Sequence, residues 1–206
     1  QAQGIALPAF DDFWQAGHFD LPAPQRPVVL LERFRADPIA HPLPTPSGRI
    51  ELYSETIAGF GYEDCPGHAT WFAPEMDSNS PIHLLSVQPA TRLHSQYDHG
   101  AVSRACKIAG REPITLNRAD AAARGIADGD VVRVFNRRGA FLAGARLSDG
   151  ILSGVAQIAT GAWYDPVDAH TPHSLDKHGN ANVVTPDIGS SRLGQGCAAQ
   201  TTSVQI

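Results

Sequence analysis

The chain has 206 residues, 42% hydrophobic and 18% charged, the balance of a globular protein with length for one or two domains. A formal net charge of −5 argues against a nucleic-acid binder, and no apolar run is long enough to cross a bilayer. Three scattered cysteines, Cys65, Cys106 and Cys197, with no C-x-x-C spacing, argue against a disulfide framework and a zinc site.

Charge is unevenly spread. Residues 1–82 carry 4 Lys and Arg against 11 Asp and Glu, residues 83–147 carry 10 against 5, and residues 148–206 carry 2 against 5. A basic middle suits a partner with phosphate or carboxylate groups, or equally a solvated face of arginines. The start, Gln1-Ala-Gln-Gly, shows no basic-then-apolar leader, so the chain reads as processed or as a piece of something larger. Periplasm and cytoplasm both stay open, because an export signal would lie upstream.

In chain order, the first forty residues read as irregular connecting chain, broken by Pro8, Pro22, Pro24, Pro27 and Pro38. A short helix is expected over Phe10–Ala16, with Asp11 or Asp12 as its cap. Val28–Phe34 reads as a strand, and Thr45–Ser54 as a Pro-Ser-Gly turn followed by a strand. Residues 58–77 read as a long loop with at most one helical turn. From Ile82 the pattern tightens: strands are expected at Ile82–Ser86 and Pro113–Asn117, then a helix from Arg118 to Arg124, capped by Asn117 and stopped by Gly125. Ile126-Ala-Asp-Gly-Asp is a turn, Val131–Asn136 and Ala140–Leu147 form a hairpin across Arg137-Arg-Gly, and a further strand covers Gly154–Thr160. Short strands between glycine turns, with one short helix, indicate a small closed barrel or a sandwich.

The chemistry concentrates after the strand at Ile82. Ser86, Val87, Gln88, Pro89, Ala90, Thr91, Arg92, Leu93, His94, Ser95 and Gln96 put an amide, a guanidinium, an imidazole and hydroxyls into one turn-forming stretch. Such groups are costly to bury unpaired, so the segment is either built for a polar ligand or is an ordinary polar loop. Arg92 has the fork geometry for a phosphate or a planar amide edge. His94 beside Ser95 does not make a hydrolase: adjacent side chains seldom face each other, and no Gly-x-Ser-x-Gly elbow is nearby. His170, His173 and His178 cannot share a helical face across Pro172, so they read as a polar loop and not a metal centre. Trp163 and Tyr164 are either a core plug or a wall for a planar ligand. Near the C-terminus, Asn180, Asn182 and Gln195 lie in a glycine- and amide-rich stretch that would be disordered as a free end but could be ordered by a polar aromatic ligand.

Several strings taken together, TPSGRIELYS, QPATRLHSQ, GIADGD, GAWYDP and GNANVVTPDIGSSRLGQGC, resemble the C-terminal part of molybdopterin oxidoreductases of the dimethyl-sulfoxide, trimethylamine-N-oxide and biotin-sulfoxide reductase type. The resemblance covers nearly the whole chain. It implies a mainly β fold with short helices, a double-psi β-barrel over residues 81–206, preceded by an irregular, Pro-rich segment, residues 1–80, that is the tail of another domain. It also implies a molybdenum bis(molybdopterin guanine dinucleotide) cofactor and an S-oxide or N-oxide substrate. The cofactor contacts implied are Ser86 to Gln96, Asn180, Asn182 and Gln195, with Arg92 and His94 foremost. The metal's own ligand and the substrate funnel would come from an N-terminal part missing here, so this piece is expected to be inactive and cofactor-free by itself, and to need the remainder of the same enzyme as partner. The competing readings are a stand-alone double-psi recognition module, as in protein-unfolding ATPases, and a small hydrolase or decarboxylase. The module leaves QPATRLHSQ and GNANVVT unexplained, and for the enzyme neither Lys107 nor Lys177 has an evident partner.

Overall fold

A computed structural model describes residues 5–21, 27–74, 77–197 and 201–206. Pro22 and Pro24 lie outside the described residues. The chain divides into two compact units, Gln1–Tyr53 and Ser54–Ile206.

Within the first unit, helix α1 covers Phe10–Ala16 as expected, but its N-cap is Ala9, without a side-chain cap. Asp11 and Asp12 instead lie in the first turn, where carboxylates favour the helix dipole. The expected strand at Val28–Phe34 does not form. Leu31 adopts a left-handed φ of 58° and starts helix α2, Glu32–Ala36. Val28 and Leu30 are exposed, and a strand with no neighbour to pair with gains nothing. The Pro-Ser-Gly turn is present, tied by the Thr45 hydroxyl to the Arg49 carbonyl (2.6 Å), but Ile50 and Leu52 after it are exposed and make no strand.

The second unit opens with helix α3, Glu55–Ala58, capped by Ser54, and then reaches the sheet. Strand β1 is Ile82–Val87, followed by helix α4, Ala101–Cys106, which the sequence reading missed. Strand β2, Pro113–Asn117, leads into helix α5, Arg118–Ala122. Strands β3, Val131–Asn136, and β4, Gly139–Ser148, form the expected hairpin, and β5 is Val155–Ala159. A 3-10 turn, η1, Ala181–Val183, and strand β6, Thr201–Val204, complete the chain.

The six strands lie in the order β3-β4-β2-β5-β1-β6. The pairs β1–β5 and β2–β4 are parallel, the others antiparallel. The sheet curls until its edges meet: Phe135 in β3 and Gln205, just after β6, exchange two backbone hydrogen bonds of 3.0 and 2.8 Å. One bridge thus curls the sheet into the barrel-like form expected.

Alternation fills the barrel. Ile82 and Leu84, Ile114 and Leu116, Val132 and Val134, Ala156 and Ile158 point inward two by two, around a fully buried Phe141. Each large side chain so buried contributes about 2 kcal/mol. β4 instead runs small, as Ala143-Gly-Ala145, because its outer face is also covered. A Cβ on Gly144 would lie 2.3 Å from Ile108 Cβ.

The turn motifs are explained by short side chains that accept backbone hydrogen bonds and by one glycine. Asn117 Oδ1 accepts from the Ala119 amide (2.8 Å), and Gly125 closes the helical turn at φ 68°. Asp128 accepts from the Leu147 amide (2.7 Å) and Asp130 from the Ala127 amide (2.8 Å), which fixes the GIADGD turn against β4. Among the described residues no helix is long and apolar enough to cross a membrane.

Candidate cofactor-binding loops

Because β1 and β5 run parallel and side by side, their C-terminal ends emerge at one end of the barrel. The loop 88–100 follows β1, and the loop 160–180 follows β5. Two non-consecutive loops therefore begin next to each other, the Thr160 amide donating to the Val87 carbonyl (2.8 Å).

The 86–96 segment divides by burial. Ser86 and Val87 are half-buried, paired with Ile158 and Ala159 as the last rungs of β1. Gln88, Ala90, Leu93, His94, Ser95 and Gln96 are exposed, while Pro89 and Thr91 are half-buried. The Gln88 amide nitrogen lies 3.2 Å from His94 Nδ1, and the Thr91 and Ser103 hydroxyls are 3.4 Å apart. His94 sits in the left-handed region at φ 50°, which turns the chain sharply. Trp163 reaches this turn from the second loop, its indole N–H donating to the Ser95 carbonyl (2.9 Å). Trp163 and Tyr164 are about half exposed, so they are not a core plug.

Arg92 is placed otherwise than its foremost candidacy implied. Its side chain is only 2% exposed, and its donors are committed within the protein. Nε donates to the His94 carbonyl (3.0 Å), Nη2 to the Thr160 carbonyl (2.9 Å) and Nη1 to Glu112 Oε1 (3.4 Å). The guanidinium ties the two loops together from beneath and does not face outward.

Around it lies an ion-pair network that sequence reasoning missed. Lys107 Nζ donates to Asp98 Oδ1 (2.8 Å) and Glu112 Oε2 (2.9 Å), and all three side chains are nearly inaccessible. Lys107, which had no evident partner in the sequence, therefore has two. Asp98 Oδ2 accepts from the Trp163 amide (3.0 Å) and pairs with His178 Nε2 (2.9 Å). Burial pushes the Asp98 carboxyl up, but hydrogen bonds from Lys107, Trp163 and His178 outweigh it and hold the pKa at about 2. The His178 ring lies 5.2 Å from that of His99, which meets Trp163 edge-on at 5.2 Å.

A second buried carboxylate, Asp176, organises the following loop. Its Oδ1 accepts from the Asp165 amide (2.7 Å), and Oδ2 accepts from the His178, Gly179 and Asn180 amides (3.3, 2.8 and 2.8 Å). Asn180 is thereby fixed, and its own Oδ1 caps η1 by accepting from the Asn182 amide (3.0 Å). The Asn182 side chain is exposed on that turn. Gln195 is held locally, Nε2 donating to the Ser191 carbonyl (2.7 Å) in a loop that Arg192 ties to Asp64. Asp98, His99 and His178 bring ligand atoms within 4.8 Å of one another. The two cations against Asp98 oppose a third, so the group is better explained as a hydrogen-bonded cluster.

Comparison with known proteins decides the family. The family model described as "Molydopterin dinucleotide binding domain" matches residues 82–203. This chain belongs to that family. The trimethylamine-N-oxide reductase 1 of Escherichia coli (strain K12) is 48% identical over 100% of this chain and 25% of its own length. The dimethyl sulfoxide/trimethylamine N-oxide reductase of Cereibacter sphaeroides is 45% identical over 99% and 26%. The biotin sulfoxide reductase of the same organism is 47% identical over 97% and 27%. The chain thus spans about a quarter of the length of the curated relatives it matches. Among solved structures, acetylene hydratase from Pelobacter acetylenicus superposes with a TM-score of 0.62 at 18% identity, covering 82% of this chain and 24% of the other, which is a likeness of fold. The molybdopterin-binding domain is therefore the barrel just described, and its two crossing loops are the candidate site.

Proposed function

We propose that this chain is the C-terminal, cofactor-clasping portion of a molybdenum enzyme that removes an oxygen atom from an S-oxide or N-oxide. The observation that carries the reading is the coincidence of the matched domain with two polar loops packed together at one end of the barrel. The names of the relatives supply the substrate class.

The residues present fit the cofactor. Gln88, His94, Ser95, Gln96 and Asn182 expose amide, imidazole and hydroxyl groups, the donor and acceptor mixture that a pterin edge or a guanine needs. Half-exposed Trp163 and Tyr164 offer planar apolar surface beside them. Thr160 Oγ1, at the root of the second loop, is buried without a hydrogen-bond partner, as expected of an atom that awaits a ligand. In this reading Ser86, Val87, Pro89, Ala90, Thr91 and Leu93 shape the loop, Arg92 braces it from within, and Asn180 and Gln195 hold the later loops. The bound group, a molybdenum between two molybdopterin guanine dinucleotides, supplies the two-electron chemistry. This chain's own residues bind it, orient it and keep water from it. The remaining part of the enzyme supplies the metal ligand and the substrate funnel, so residues 1–206 alone are inactive and cofactor-free.

The test is the metal and nucleotide content of the full-length protein, with turnover of trimethylamine N-oxide, dimethyl sulfoxide and biotin sulfoxide by a reduced dye. One molybdenum and two guanine dinucleotides per chain, with reduction of at least one of the three, is expected. A stable full-length protein without molybdenum would point instead to a stand-alone recognition barrel.

A further inference from the structure

We propose that Asp98 is a positioning residue for the cofactor-facing loops: a buried carboxylate that clamps the loop after β5 to the loop after β1. The inference rests on the functional reading above. Its basis is the way one side chain joins stretches far apart in sequence. The Trp163 amide and His178 Nε2, 65 and 80 residues away, converge on Oδ2, while Lys107 occupies Oδ1 and Arg92 Nε lies 3.4 Å from it. The side chain is fully inaccessible, so solvent does not compete for these groups.

Only a carboxylate meets the demands of this position. Two oxygens are needed to serve groups arriving from both sides, and a negative charge is needed beside two buried cations. Lys107 and Arg92 are balanced by Asp98 and Glu112, so the cluster is neutral when His178 is neutral. The two acids differ in what they hold, however. The Glu112 side chain bonds the cations. Asp98 also fixes the backbone of Trp163, whose indole in turn holds the Ser95 carbonyl, and the ring of His178. The surface offered to the pterin by Ser95, Trp163 and their neighbours thus depends on a residue that never reaches that surface.

That difference provides the test. In the full-length protein, Asp98→Ala and Glu112→Gln each remove one buried negative charge, but only the first removes the clamp. The quantities to measure are the rate at which molybdenum and guanine nucleotide leave the protein, and amide exchange by mass spectrometry in peptides spanning 161–166, 176–180 and, as a barrel control, 131–136. Asp98→Ala is expected to release the cofactor at least tenfold faster, with faster exchange confined to the two loop peptides. Glu112→Gln is expected to stay within threefold of the parent. Should Asp98→Ala not accumulate, Asp98→Asn is read in the same way, since an amide oxygen kept by Lys107 turns its nitrogen toward the Trp163 N–H. Retention of cofactor by the Asp98 variant overturns the proposal. So does equal loss from Glu112→Gln, or exchange raised as much in 131–136 as in the loops. A parent protein with no pterin at all sinks the functional reading instead, and the clamp is then judged on the exchange pattern alone.

Discussion

The backbone of Gly161 passes so close to His94 that a Cβ on the glycine would stand 2.1 Å from the His94 carbonyl oxygen. Gly161 also has a φ of 86°, in the region that L side chains rarely adopt. The two loops can cross only because one of them has no side chain there. Gly161→Ala is therefore expected to destabilise the fold by about 3 kcal/mol, since clash and backbone strain act together. Urea unfolding should show the loss, and limited proteolysis should open first between residues 88 and 100. An unchanged midpoint would mean that the crossing relaxes at little cost.

Lys107 makes a separate demand. Its ammonium lies between Asp98 and Glu112 with almost no access to water. Replacing it by methionine keeps most of the side-chain length and removes the ammonium that the two carboxylates share. Breaking one member of a buried ionic cluster costs about 3–5 kcal/mol. Lys107→Met should lose that much in equilibrium unfolding, and adding Glu112→Gln to it should recover part of the loss by restoring charge balance. Additive losses in the double variant would show that the two side chains are not coupled.

What the sequence made legible, and what it hid, follows from the range of each interaction. Asn117, Gly125 and the Asp-Gly-Asp turn act on amides within a few residues or across one hairpin, so their roles could be read from local spacing. The barrel strands were legible through period-two burial, as at Ile114 and Leu116. Val28–Phe34 has the same apolar composition, but a strand also needs a partner, which composition does not report. Asp98 was invisible for a similar reason. Its partners lie 6, 9, 65 and 80 residues away, and the spacing of the nearer two matches no local motif. The sequence marks Arg92 by its fork geometry, but the acids that engage it, Asp98 and Glu112, are brought in by the fold and leave no local signal.

The network also sets how the protein responds to acid. Asp98 titrates at about 2 in the folded chain against an ordinary value of 3.8, so folding favours its ionised form. A carboxylate lowered in this way contributes stability that is fully present above the unfolded pKa and is lost as pH falls through the folded one. The difference amounts to about 2 kcal/mol at neutral pH, disappearing between roughly pH 4 and pH 2. Asp120, lowered mainly by the Ser153 hydroxyl, and Asp168, lowered mainly by the Thr171 hydroxyl, shift in the same direction, so the acid limb does not belong to Asp98 alone. Stability measured by urea titration at successive pH values should therefore decline steeply below pH 4 in the parent. In Asp98→Asn the same limb should be shallower and should start from a lower plateau. Parallel curves for the two proteins would mean that Asp98 is protonated without consequence, and that Lys107 and Glu112 carry the cluster without it.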